Sequence, residues 1–343
     1  MNLILIISTN ILLIIFLNSI FLKKKILIDS KQLVHKSFIS KDAVPISGGF
    51  LILANLLFFN SNYLANFFFF GIFCLGIFSD LLIIKNPVKK FFIQFFIVIS
   101  FLLLLNIYIL ETKIFFIDFF IKNKLFALFF TAFCLLILIN GSNFLDGINT
   151  LVCGYYILIA LVILYLGHYN KINYNFLEFY YLLISLFVIF LFNFFSKTYL
   201  GDSGTFLLSF LVGYQLIYLC NSNLFLAKYI SPIFILLLLW YPAFENLFSI
   251  IRKTLSKTKA SEPDNLHLHH LLFSYLKTKI KNKKIVNSLT GIVINFYNFL
   301  IFCVGSQFYN KTDFLFILVF VNICVYVASY FFLKKKNFLN KKK

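Results

Sequence analysis

The sequence predicts an all-α, polytopic integral membrane protein of about 11 transmembrane helices. Three observations carry this. The 343-residue chain is 61% hydrophobic and only 13% charged, which no water-soluble domain of this length sustains. Its apolar residues gather in runs close to the ~20 residues a helix needs to cross a bilayer. Lys and Arg concentrate in alternate loops between those runs.

Taken in order, the runs are 2–22, 46–60, 65–84, 91–110, 125–142, 148–167, 176–195, 204–220, 226–247, 287–307 and 313–333. The first has no basic leader, is too long for a cleavable signal, and is followed by Lys23-Lys24-Lys25 as a stop. The second is short for a span. Alternate loops from 23–46 onward hold 25 of the 31 Lys and Arg residues. Cytoplasmic loops carry that excess, so the N-terminus is expected outside and the C-terminus in the cytoplasm. The loop 111–124, with its Phe-rich runs, reads as an interfacial segment on the external side. The whole chain, 1–343, reads as one transmembrane domain with cytoplasmic loops at 23–46, 80–90, 140–149, 194–204 and 248–286.

The net charge of +19 is then mostly topology, and the basic tails favour anionic lipid. No soluble basic domain exists to bind nucleic acid. The six cysteines all fall in apolar spans, without metal-ligand spacing, and read as small hydrophobes. Lys is strongly favoured over Arg, so Arg252, the one arginine, carries more information than any lysine.

Acid is scarce, at 12 residues, yet Asp80, Asp146 and Asp202 each lie at a span end on the predicted cytoplasmic side. Beside them stand Asn140, Asn143, Asn193, Lys89, Lys90, Arg252 and the cluster His267, His269 and His270. Costly polar groups at membrane depth usually serve a function. Carboxylates and amides suit a hard divalent cation that bridges to phosphate. Lysines, an arginine fork and imidazoles suit phosphate charge. If helical, Asn140, Asn143 and Asp146 share roughly one face. Each Asp by itself also fits a helix cap. The His267, His269, His270 spacing is not a recognised zinc pattern.

These blocks together resemble the polyprenyl-phosphate N-acetylhexosamine-1-phosphate transferase family, glycosyltransferase family 4, over roughly residues 29–275. NGSNFLDGIN (140–149) resembles its asparagine-rich Asp-Gly block and FNFFSKTYLGDSGT (192–205) its Gly-Asp-Ser-Gly block. PAFENLFSIIRK (242–253) with DNLHLHHLL (264–272) resembles its arginine and histidine loop. GIFSD (76–80) with PVKKFFIQ (87–94) is similar to its aspartate-pair block, and His35 with PISGG (45–49) to its first loop. The chain departs at Ser79 and Asn149, where the family has Asp, at Glu245, where Asp is usual, and at Gln32, where Arg is.

The resemblance implies Mg²⁺-dependent transfer of N-acetylhexosamine 1-phosphate from a UDP-sugar to undecaprenyl phosphate. UMP is released and a cell-surface glycan such as O-antigen is begun. It implies catalytic roles for Asp80, Asp146 and Asp202, with Asp202 and Asp146 on the metal. Substrate contacts are implied for Asn140, Asn143, Asn193, Lys90, Arg252, His267, His269 and His270. The implied location is the bacterial inner (cytoplasmic) membrane, multi-pass, in contact with membrane lipid; a homodimer is left open. DNLHLHH fits the hexosamine branch better than the branch that transfers phospho-muramoyl-pentapeptide. A transporter and a catalytically inactive homologue are the other readings. Acids at span ends rather than mid-span speak against the first, and Ser79 and Asn149 are the argument for the second.

Overall fold

The computed structural model describes residues 3–29, 43–60, 62–170, 176–221, 230–257 and 264–341. His35 and Gln32 of the first-loop block lie outside these. In chain order the helices are α1 (Leu3–Lys24), α2 (Gly48–Phe59), α3 (Tyr63–Asp80), α4 (Pro87–Leu105), α5 (Phe115–Ile121), α6 (Lys124–Leu145) and α7 (Leu151–Tyr169). They continue with α8 (Leu177–Phe194), α9 (Gly201–Asn221), α10 (Pro232–Leu255), α11 (Leu268–Lys277), α12 (Lys283–Gln307) and α13 (Thr312–Lys341). Two short strands, Ile28–Asp29 and Val44–Pro45, pair antiparallel.

Ten of these helices are long and apolar enough to cross a membrane, and the protein is an all-α polytopic membrane protein. The second predicted span is the exception: it forms α2, of 12 residues, or about 18 Å at 1.5 Å per residue. It still joins the two faces, because it starts recessed. Ser47 hydrogen-bonds Asn18 at 2.6 Å, and Gly48 N–H donates to the Tyr199 carbonyl at 3.1 Å. At its other end Phe59 stacks on Tyr181, near the start of α8. Packed between α8 and α9, α2 has no lipid thickness to cover on its own.

The helix ends therefore sort onto two faces. One gathers the ends of α3, α6, α8 and α10 and the starts of α4, α7, α9 and α12. The other joins Tyr309 to Asn170 at 2.8 Å and Ser231 to Thr312 at 2.9 Å, and it carries α5, with Phe115 and Phe116 exposed. At the centre, α9 is the most deeply buried helix, packed on α2, α3 and α6. Phe69, Phe101, Phe210 and Tyr214 interlock there edge-on. The outer helices α1, α4 and α13 leave large apolar side chains such as Phe16, Phe96 and Phe320 exposed, as a lipid-facing surface requires.

Pro242 lies inside α10 and removes the N–H that would bond the carbonyl four residues back. In a membrane an unanswered carbonyl is costly. The Tyr155 hydroxyl answers it, donating to the Leu238 carbonyl at 2.7 Å.

Of the 248–286 segment, expected as loop, the described residues are largely helical. α10 runs on to Leu255, with Arg252 and Lys253 in its last turn, where positive charge suits the helix dipole. α11 then buries His269, Leu271 and Phe273 on its inner side.

Candidate active site at the helix ends of one face

The site begins at the tight turn into α9. Gly201 has φ +69°, and a Cβ there would lie 2.7 Å from Asp80 Oδ2 and still closer to the Ile46 side chain. Only glycine accepts both the backbone angle and the crowding. Past it, the first amides of α9 point out unpaired, as at every helix start. Asp80 takes them: Asp202 N–H donates to its Oδ1 at 2.8 Å and Ser203 N–H to its Oδ2 at 3.0 Å. Asp80 thus caps a helix other than its own, which makes it a positioning residue for Asp202.

Asp202, on the first turn of α9, is reached from α3 and α4. The Ser79 hydroxyl donates to its Oδ2, and Lys90 Nζ lies 3.3 Å from the same oxygen and 3.0 Å from Ser79 Oγ. Its Oδ1 has no hydrogen-bond partner among the described residues. Lys90 and Asp202 are both partly exposed, so a ligand can reach them.

The end of α6 abuts this turn. Thr205, one turn into α9, donates to Asn143 Oδ1 at 3.4 Å. Asp146 is the C-cap of α6, its N–H bonded to the Asn143 carbonyl at 3.3 Å. An acid at a helix C-terminus opposes the dipole and calls for positive charge nearby. Asn140 is turned inward, donating to buried Gln94 at 3.0 Å.

Asn193 is likewise committed to the fold. It accepts from Thr150 N–H and donates to the Thr198 carbonyl at 2.9 Å. Thr150 has φ +65°, a strained angle for a β-branched residue. Its hydroxyl donates to the Ser288 carbonyl at 2.9 Å, and the Asn295 side-chain amide donates to the Thr150 carbonyl at 2.9 Å. Asn149 beside it is buried; its side-chain amide donates to Ser196 Oγ at 2.8 Å and its backbone N–H donates to Asn287 Oδ1 at 2.8 Å. This explains why Asn serves there: an Asp would bury an uncompensated charge among neutral groups.

The arginine and histidine segment closes the site. Arg252 grips Asp264 with both ends of its fork, at 2.8 and 3.1 Å, so in this structure the fork pins the loop. Burial pushes the Asp264 carboxyl up, but the Arg252 guanidinium, the Leu266 N–H and His267 outweigh it and hold it below the usual carboxylate range. His267 Nδ1 lies 2.9 Å from Glu245 Oε1. His269 is fully buried, with neither ring nitrogen hydrogen-bonded among the described residues. Burial, then His270 and His267, push its pKa well below the ordinary value, with the Phe144 carbonyl pulling weakly the other way. It is a neutral imidazole. The rings of His267 and His269 stack, and His267 meets Phe144 at the end of α6. A Cβ on Gly147 would lie 2.9 Å from His270 Cε1, so glycine next to Asp146 lets the histidine helix approach. These contacts draw the ends of α3, α6 and α10, the starts of α4 and α9, and α11 onto one face.

Among the described residues no group of three or more His, Cys, Asp or Glu could hold a metal ion. A closed zinc cage is not preformed. The donors that are present, the free Oδ1 of Asp202 and the Asp146 carboxylate, suit a different cation. Mg²⁺ takes one or two carboxylates and completes its shell with water and substrate phosphate.

The model of glycosyl transferase family 4 matches residues 63–220, from the start of α3 to the end of α9. Over that stretch, a little under half of the chain, the protein is similar to glycosyl transferase family 4. A curated relative, a probable undecaprenyl-phosphate N-acetylglucosaminyl 1-phosphate transferase of Bacillus subtilis (strain 168), is 33% identical over 81 residues. That match covers 23% of this chain and 22% of the relative's length. The family 4 segment contains Asp80, Lys90, Asn140, Asn143, Asp146, Asn193 and Asp202. Arg252, Glu245 and the histidines lie beyond it.

Sequence reasoning missed the supports of this site. Thr150, Ser196, Asn287, Ser288 and Asn295 hold the Asp146–Thr150 turn, and no reading singled them out. The signal was there in Asn287-Ser288 and Asn295, polar residues in the apolar run of α12.

Proposed function

We infer that the protein transfers N-acetylhexosamine 1-phosphate from a UDP-sugar to undecaprenyl phosphate, releasing UMP. The observation that carries this is Asp202. It heads the most buried helix of a family 4 segment, open on one oxygen, with Lys90 and Ser79 on the other. A phosphate oxygen of the lipid acceptor attacks the sugar-bearing phosphorus of the donor. The bond to the bridging oxygen breaks, and that oxygen leaves with UMP. The acceptor phosphate is already ionised near neutral pH, so no strong base is required. Such transfer depends on positioning and on charge neutralisation.

Mg²⁺, held by Asp202 and Asp146 and completed by substrate phosphates, would supply the countercharge. Lys90 balances Asp202 and is placed to meet a phosphate oxygen. Asp80 keeps Asp202 at its place by holding the backbone of α9. The site face is taken as cytoplasmic, because the Lys-rich loops lie there, and the membrane as the bacterial inner membrane. A cavity of about 590 Å³ between α10, α11, α12 and α13, lined by Trp240, Tyr241, Leu272, Tyr297, Tyr326 and Phe332, offers the lipid chain an apolar berth.

The test is UMP release by the purified protein, with donor, acceptor and Mg²⁺ omitted one at a time. Release is expected only when all three are present. No release with saturating UDP-N-acetylglucosamine or UDP-N-acetylgalactosamine, acceptor and Mg²⁺ would sink the reading.

Ser79→Asp extends it. The variant places a second carboxylate beside Asp202 with one lysine between them, and like charges that close need a cation. UMP release should match or exceed wild type, with half-maximal release reached at a lower Mg²⁺ concentration, because the added carboxylate strengthens cation binding. A Mg²⁺ titration identical to wild type would show that the cation does not bind near Ser79.

A further inference from the structure

We propose that Glu245 is a positioning residue that orients the His267 imidazole toward the reacting phosphates. The inference rests on the transferase reading above and adds a residue outside the family-matched span. Glu245 sits on α10, three residues after Pro242, and is 1% exposed. A buried carboxylate is costly unless it is paired. Among the described residues no arginine or lysine forms an ion pair with it: Arg252 is committed to Asp264, and Lys253 lies 3.9 Å from that same acid. The partners of Glu245 Oε1 come instead from the start of the histidine helix, with His267 Nδ1 at 2.9 Å and Leu268 N–H at 3.4 Å.

That pairing decides what His267 presents. A carboxylate on one ring nitrogen fixes the proton there and leaves the other nitrogen to act. Here Nδ1 is the bound nitrogen. Nε2 faces the Asp264 side, 3.7 Å from its Oδ1. His267 is the N-cap residue of α11, yet its side chain makes no cap hydrogen bond. The ring orientation is therefore set by Glu245, by stacking on His269 and by a tilted contact with Phe144. Packing alone does not account for the acid. The buried hydroxyls of Tyr241, Tyr326 and Tyr330 lie within its electrostatic reach, Tyr326 near enough to interact with the carboxylate through its hydroxyl. An apolar side chain would fill this place at lower cost.

The test is a double-variant cycle read as UMP release per mole of monodisperse, folded protein. Glu245→Gln removes the charge at constant shape, and His267→Asn keeps a donor for Glu245 while removing Nε2. Losing such an outer support typically costs about 10–100-fold. Glu245→Gln should lower release by that amount, and Glu245→Asp, which keeps the carboxylate, should stay within about tenfold of wild type and above Gln. In the His267→Asn background, Glu245→Gln should have no further effect beyond about threefold, because the residue it works through is already gone. Effects that multiply, a Gln variant with wild-type release, or a Gln variant that does not fold would each overturn the positioning role. Wild-type protein that releases no UMP would overturn the transferase reading and this inference with it. An active wild type with multiplying effects overturns only this inference.

Discussion

Asp202→Asn will lower UMP release by about 10³-fold or more and leave the protein folded. The fold should tolerate it because Asp80 holds the backbone N–H of residue 202, not its side chain. The amide oxygen of Asn can still accept from Ser79 and Lys90 in the place of Oδ2. What disappears is the negative charge and the open Oδ1 that suits a hard cation. Removing a single preorganised transition-state contact in other enzymes costs about 10²–10³-fold, and here the lost group both binds the cation and balances Lys90. The check is UMP release per mole of folded protein, with size-exclusion behaviour and thermal midpoint compared to wild type. Near-normal turnover at saturating Mg²⁺ would take Asp202 out of the metal-phosphate site.

Gly201→Ala will damage both stability and turnover, although residue 201 touches no substrate in the proposed mechanism. An alanine at φ +69° occupies the left-handed region, at about 1–2 kcal/mol. Its Cβ would also press on the Asp80 carboxylate and on Ile46. Relief requires the turn, Asp80 or the segment 44–46 to move, and any of these shifts the start of α9. A total loss of about 2–4 kcal/mol is expected from strain and overpacking together. Turnover should drop about 100-fold, since a misplacement near 1 Å has an effect of that order. The thermal midpoint in detergent reads the first effect and UMP release the second. A wild-type midpoint with wild-type turnover would mean the tight turn is not what fixes Asp202.

Much of the architecture was legible in the chain because the membrane imposes a coarse rule. Length and apolarity mark a span, and loop charge marks a side. That rule found ten long helices and put Asp80, Asp146, Asp202, Arg252 and the histidines on one face. It failed at α2, whose shortness depends on a recessed start against Tyr199, and at 248–286, where hydrophilic residues still form helix. Polar composition marks exposure to water, not absence of structure.

The sequence by itself determined the class, ten of the eleven expected spans and the pool of polar residues available to one face. The tertiary structure alone decided what each does. It turned Asp80 into a cap on α9 from 122 residues away and closed the Arg252 fork on Asp264. It drew Asn193 and Asn149 inward as supports, and it joined Glu245 to His267 across 22 residues. The physical reason is the difference in range and direction. Burial in lipid is non-directional and depends on composition summed along a helix, so a linear chain displays it. A hydrogen bond or ion pair forms only at about 3 Å and at a set angle, so its partner is known only once the helices have packed.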